Sequence, residues 1–306
     1  MVRSTVAAPP SVARAFVFMV LATLFATLTN AGIRHVTADV HPFVVTFFRS
    51  AFGFVVLVPV FFRYGLAPLV TRRPGLHALR GALQLVQTLF LFTALGFTPL
   101  ATVAALHFTA PLFTAVMAVV LLGEAIRIRR VSALIVGFAG ALIIVRPGMI
   151  ALDAGPLLVL GSAAFWGATM VVIKTLTRTD SSLTVTLYTG VFMTPFSFLF
   201  AMFVWETPDA RALAWLLAVG VSGSLGQLAL AQAFREADTT AVLPLDFLKL
   251  IWAAAIGYAL FAEVPSLWTW IGGAVIFASA FYLAVRERTP GAGSARPAVP
   301  TDGPRD

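Results

Sequence analysis

Ten runs of predominantly apolar residues follow one another along the chain, and nothing else limits its folding so tightly. They fall near 15–33, 42–62, 77–97, 101–122, 131–146, 156–175, 183–204, 212–233, 240–262 and 267–285. A helix needs about 20 apolar residues to cross a bilayer, which these runs supply, the fifth being the shortest. Strands of a membrane barrel are shorter and alternate apolar with polar residues. These runs do not alternate, so their backbone must be satisfied within helices. The expected fold is an all-α polytopic membrane protein with ten transmembrane helices. Only 11% of residues are charged, against about 25% in a soluble domain. There are no cysteines, which excludes disulfides, thiolate metal sites and cysteine catalysis.

The net charge is +8. In a soluble protein that balance would point to nucleic acid. Here it reads as orientation, because Lys and Arg collect in cytoplasmic loops. With the N-terminus inside, 16 of the 21 Lys and Arg fall in inner segments and only Arg34, Arg146 and Arg211 in outer ones. Both termini are therefore expected in the cytoplasm. Arg3, Arg14 and the run after them resemble a signal peptide, but the run is too long and further spans follow. It is read as an uncleaved first helix. Residues 1–11 and 288–306 lack apolar periodicity, and the second of these is rich in Pro, Gly and Ala, so both are expected to be disordered.

An internal repeat divides what remains. A shift of 139 residues lays Thr102–Glu124 on Ala241–Glu263, with Glu124 on Glu263 and His107 on Asp246. The same shift puts Ala133 on Gly272 and Gly140 on Ser279, and a shift of 140 puts Phe25 on Phe165 and Arg34 on Lys174. Each half, 12–147 and 148–287, has five spans. Five is odd, so the second half is expected to be inverted relative to the first. Inverted repeats recur in transporters, with substrate held near the midplane between them.

Polar groups inside apolar runs mark candidate sites, since charges in hydrocarbon usually face a protein interior or a water-filled cavity. Asp246 and Lys249 lie three residues apart and share one helix face. They read as a cavity-facing pair or as a self-neutralising ion pair. Pro244 just before them frees backbone carbonyls. His107 titrates near physiological pH, so it and Asp246 are candidates for proton coupling; the alternative for His107 is a hydrogen bond to a neighbouring helix. Arg49 offers a bidentate fork for a carboxylate or phosphate, or snorkels to headgroups. Gln84 and Gln87 form a polar stripe with Arg80, fit to hydrogen-bond a substrate or to tie helices together. Trp166 near mid-span, and Tyr188, are candidate stacking walls; ordinary packing is the alternative. Asn30, Gln227, Trp252 and Tyr258 are further candidates.

Gly220-Val221-Ser222-Gly223 matches a GxSG tetrapeptide of intramembrane serine proteases, which makes Ser222 the nucleophile of a competing reading. Small residues are also ordinary helix-packing elements in membranes. No His/Asp/Glu spacing suits a metal, and no phosphate-binding loop is present. No cofactor is expected.

Residues 96–148, GFTPLATVAALHFTAPLFTAVMAVVLLGEAIRIRRVSALIVGFAGALIIVRPG, resemble the second half of an EamA domain of the drug/metabolite transporter superfamily. So do residues 233–285, with DTTAVLPLDFLKL and FAEVPSLWTWIGGAVIFASA. The shared pattern is a polar turn, a proline-containing helix, a Glu at its end and a final helix of small residues. The resemblance covers about residues 12–287. Within the superfamily, HALRGALQLVQTLFLFTALGFTPLATV and GSLGQLALAQAFREADTTAVLPLDFLKL look most like bacterial S-adenosylmethionine or riboflavin carriers. The resemblance implies two inverted five-helix repeats, alternating access and no enzymatic activity. It implies a small-molecule substrate: a polar or amphipathic metabolite such as an amino acid, vitamin or nucleoside-like compound, moved outward across the inner membrane. The expected surroundings are the lipid bilayer, without nucleic acid; association as a homodimer is left open. A non-transporting scaffold is the remaining alternative.

Overall fold

The computed structural model describes residues 12–64, 70–123, 128–146, 153–177, 179–236 and 242–288. Residues 1–11 and 289–306 of the tails expected to be disordered, and Glu124, lie outside them, whereas Arg288 ends the last helix. The described residues form helices α1 (Val12–Val36), α2 (Pro42–Tyr64), α3 (Pro74–Leu95), α4 (Leu100–His107), α5 (Ala110–Leu122) and α6 (Ile128–Val145). After these come α7 (Ala154–Leu176), α8 (Ser182–Met202), α9 (Ala210–Glu236), a 3₁₀ turn (Leu243–Phe247), α10 (Leu248–Phe261) and α11 (Leu267–Arg288). Seven helical segments are long and apolar enough to cross a membrane, and three more are apolar but shorter in the described residues. The ten hydropathy runs correspond to these ten segments.

Two runs are not single regular helices. The fourth is interrupted at Phe108 and Thr109, just before Pro111. Proline has no N–H to give and its ring crowds the carbonyl one turn earlier. The ninth begins as the 3₁₀ turn around Pro244 before becoming α-helical. The turn at Thr98-Pro99 forms as the sequence indicates, closed by Thr98 N–H donating to the Ala94 carbonyl at 2.8 Å.

Helices pair across the two halves of the chain. α1 packs on α9 and on α10, and α3 and α5 pack on α7. α2 packs on α8 and α9, while α3 also packs on α8. α6 crosses α11 where two glycines meet: a Cβ on Gly140 would lie 3.0 Å from the Gly272 carbonyl oxygen, and one on Gly272 only 2.6 Å from that of Gly140. Without a hydrophobic force between helices in lipid, such close backbone approach is what holds them together. Beside that crossing Ser279 donates its hydroxyl to the Ala133 carbonyl. Outward faces carry exposed Val120, Ile135, Leu142, Leu228 and Leu260, as expected of side chains that meet lipid.

Candidate functional site

A cavity of about 400 Å³ opens between the two halves. Small and polar residues of α1 (Ala22, Thr23, Ala26, Thr27, Asn30) form one wall, and Gly223, Gly226 and Gln227 of α9 form another. The lack of side chains at Gly223 and Gly226 leaves room there. Arg49 enters from α2, Gln84 and Gln87 from α3, His107 from the end of α4 and Trp166 from α7. Asp246 and Lys249 come from the 3₁₀ turn and the first turn of α10.

The polar contacts inside the cavity are specific. Lys249 Nζ lies 2.6 Å from Asp246 Oδ1. The sequence left open whether these two are a structural ion pair or a cavity-facing pair; they are an ion pair in the cavity wall. Gln84 donates its amide to Gln87 Oε1 at 2.7 Å, and buried Gln87 donates to Ser162 of α7 at 3.0 Å. Gln87 therefore ties helices together as well as lining the cavity. Arg49 lays its guanidinium over the Phe92 ring, 5.5 Å from its centre. The buried Nε2 of His107 has no hydrogen-bond partner among the described residues. Trp252 donates from Nε1 to Thr23 Oγ1 at 3.3 Å, holding α10 against α1.

Of the eight candidate binding residues, the structure brings seven to this cavity: Arg49, Gln84, Gln87, His107, Trp166, Asp246 and Lys249. Tyr188 is elsewhere. Its ring stacks on His77 at 4.4 Å, near one end of the bundle. Asn30 and Gln227 join the lining, whereas Tyr258 is 67% exposed on the outer surface of α10. Arg80 turns to α8, donating to the Val185 carbonyl and to Thr189. The sequence reading passed over Thr23, Thr27 and Thr88. A signal for them existed: Thr23, Thr27 and Asn30 follow helical spacing along the first span.

Charged clusters close the two ends of the bundle. At one end Arg34 of α1 pairs with Glu263, which follows α10. Arg34 also donates to the Leu95 carbonyl at 3.0 Å and to that of Thr98. Glu263 in turn accepts from the Leu100 N–H at 2.9 Å, at the start of α4. Leu100 and Ile33 line the cavity just beneath. At the other end His77 donates from Nε2 to Asp180 Oδ2 at 2.7 Å, and Thr71 donates to the same oxygen at 2.6 Å. The hydrogen bond from Thr71, followed by that from His77, holds the Asp180 carboxyl below its ordinary pKa. Arg14 and Glu236 pair at 3.2 Å on that side.

Ser222 of α9 reaches across to α1. Its hydroxyl meets Thr29 Oγ1 at 2.9 Å and the Val219 carbonyl at 3.2 Å. Neither can act as a general base. Among the described residues no group of three or more His, Cys, Asp or Glu could hold a metal.

The chain is 29% identical over 271 residues to an S-adenosylmethionine uptake transporter of Rickettsia prowazekii, covering 89% of this chain and 92% of that one. It is 32% identical over 243 residues to a riboflavin transporter of Vibrio cholerae, covering 78% and 81%. It is 28% identical over 264 residues to a pseudopaline exporter of Pseudomonas aeruginosa, covering 84% and 91%. A solved crystal structure shares the fold with a TM-score of 0.59 at 20% identity, covering 90% of this chain and 99% of that one. The EamA-like transporter family matches twice, at residues 13–146 and 153–285. With a cavity between two such halves and relatives named as transporters, this multi-pass membrane protein belongs to the EamA-like transporter family.

Proposed function

We propose that the chain is a secondary transporter that moves a small polar or amphipathic metabolite across the inner membrane by alternating access. The carrying observation is a cavity that collects seven of the predicted polar or aromatic side chains from both halves of the chain. Such a cavity at the meeting of two repeats is where transporters hold substrate. The substrate class is an amino acid, a vitamin or a nucleoside-like compound, in keeping with the relatives named for S-adenosylmethionine and riboflavin. Asp246, paired with Lys249, is the site of a coupling proton, with His107 as a second titrating group. Trp166 forms a stacking wall.

The two halves act as inverted repeats, 12–147 and 148–287, with both termini in the cytoplasm. Helix pairing supports the equivalence of the two halves. Exchange of the halves carries the α1–α9 contact onto α7–α3 and the α2–α9 contact onto α8–α3. It also carries the Ala133–Ser279 contact onto Gly272–Gly140. On that topology Asp246 lies in the cytoplasmic half of the bilayer, placed to meet a solute from inside, so the direction is export. Rocking of the halves would make and break the charged clusters at the two ends in turn.

The test is flux in liposomes reconstituted with the protein. Asp246→Asn and Lys249→Met each lower metabolite flux at least roughly tenfold, because either leaves one charge unpaired in the cavity. Ser222→Ala leaves flux unchanged. Wild-type flux in both charge variants would refute the site. No flux with any metabolite of a broad panel would favour a scaffold.

A further inference from the structure

We infer that the cavity selects a solute of net negative charge, seated through a carboxylate or phosphoryl group on Arg49. The inference rests on the transporter reading above and names the substrate class for the same site.

Four titratable side chains line the cavity: Arg49, His107, Asp246 and Lys249. The carboxylate of Asp246 is already taken by Lys249 at 2.6 Å. At the ends of the bundle Arg34 is compensated by Glu263 and Arg14 by Glu236. Arg49 is different. Among the described residues no carboxylate pairs with it, and its one recorded contact is the Phe92 ring. With the imidazole neutral, the cavity therefore holds one more positive charge than negative. A guanidinium cannot shed its proton, and an uncompensated charge inside a membrane protein is expensive. The solute supplies the missing counter-charge.

The geometry suits an oxyanion. The guanidinium carbon sits over the Phe92 ring, a contact that uses no N–H in a hydrogen bond, so the donors remain for a planar carboxylate or a phosphoryl group, the partners its fork matches. Beside it the cavity offers neutral contacts. Gln84 gives its N–H to Gln87 and keeps its own carbonyl as an acceptor. Trp166 offers an apolar ring from the opposite half. A cationic solute would find no carboxylate to spare and would face Arg49 directly.

The experiment measures thermal unfolding of the purified full chain in detergent with probes that differ in charge. Nicotinate is set against neutral nicotinamide and the 1-methylnicotinamide pyridinium cation, and riboflavin 5′-phosphate against riboflavin. The anionic member of at least one set is expected to stabilise at roughly tenfold lower concentration than its neutral counterpart. Arg49→Gln erases that preference and Arg49→Lys keeps part of it. Asp246→Asn, which frees Lys249, tightens binding of the anion, a gain that a poorly folded variant would not give. The inference is overturned by equal or better binding of the neutral or cationic probes, by an intact preference in Arg49→Gln, or by no anion binding at millimolar concentration. Flux of a neutral or cationic solute in liposomes would overturn it too, while leaving the transporter reading in place. Absence of all flux would remove both.

Discussion

Phe108 and Phe247 stack on one another, ring centres 6.0 Å apart and planes 20° from parallel. Each sits at an irregularity. Phe108 follows the last residue of α4, and Phe247 closes the 3₁₀ turn before α10. The shift of 139 residues that relates the two halves lays one directly on the other. Both rings also meet Phe277 of α11. The two broken helices thus cross at a small aromatic cluster beside His107 and Asp246.

That cluster is expected to act as one packing unit. Phe108 is 8% exposed, and truncating a buried Phe costs about 3–5 kcal/mol. Phe108→Ala and Phe247→Ala should each lower the denaturation midpoint, and the double variant should lose clearly less than the two single losses together, because residues in contact are not additive. Full additivity would mean that the stacking carries no energy.

The Arg34–Glu263 pair makes a different prediction. The two side chains are 16% and 11% exposed, so solvent screens them little. Glu263→Ala leaves Arg34 without its carboxylate and the Leu100 N–H without an acceptor, a loss of about 2–4 kcal/mol. Glu263→Gln keeps an oxygen for Leu100 and should lose less. Stability curves of the two variants check the order, and equal losses would show that the Leu100 contact contributes nothing.

Acid should act through Asp180, which joins the start of α3 to the segment between α7 and α8. Its pKa is lowered in the folded state, so its contribution is complete above the ordinary aspartate value of about 3.9. That contribution is lost as pH falls through the lowered folded value. Asp180→Asn should therefore lower the melting temperature near neutral pH and remove this acid-sensitive component. A variant with unchanged melting at neutral pH would contradict the assignment.

Much of the fold was legible because a bilayer demands long apolar runs, and length alone counts them. The cavity was partly legible for the same reason: Arg49, His107, Asp246 and Lys249 stand out against hydrocarbon. Thr23 and Thr27 did not stand out. A threonine can satisfy itself within its own helix, as Thr23 does on the Val20 carbonyl and Thr27 on that of Thr23, so it signals little. The end clusters were hidden for another reason. Arg34 and Asp180 lie at helix ends, where charge is unremarkable. Their partners Glu263 and His77 come from other parts of the chain, and only the packed structure brings them together. Tyr188 illustrates the limit of reading aromatics: a ring within a span suits a substrate wall or a neighbour equally, and here its neighbour is His77.

Alternating access is the central claim, and the natural absence of cysteine allows a direct measurement. Ala26 of α1 and Ala104 of α4 line the cavity, so Ala26→Cys and Ala104→Cys place single thiols there, with Leu228→Cys on the exposed face of α9 as control. Each variant is labelled in sealed vesicles with a charged, membrane-impermeant thiol reagent, applied from one side and then the other. The account predicts that both cavity thiols react from either side, and that substrate slows both reactions, while the control does not respond to substrate. Cavity thiols that react from one side only, with and without substrate, would contradict it.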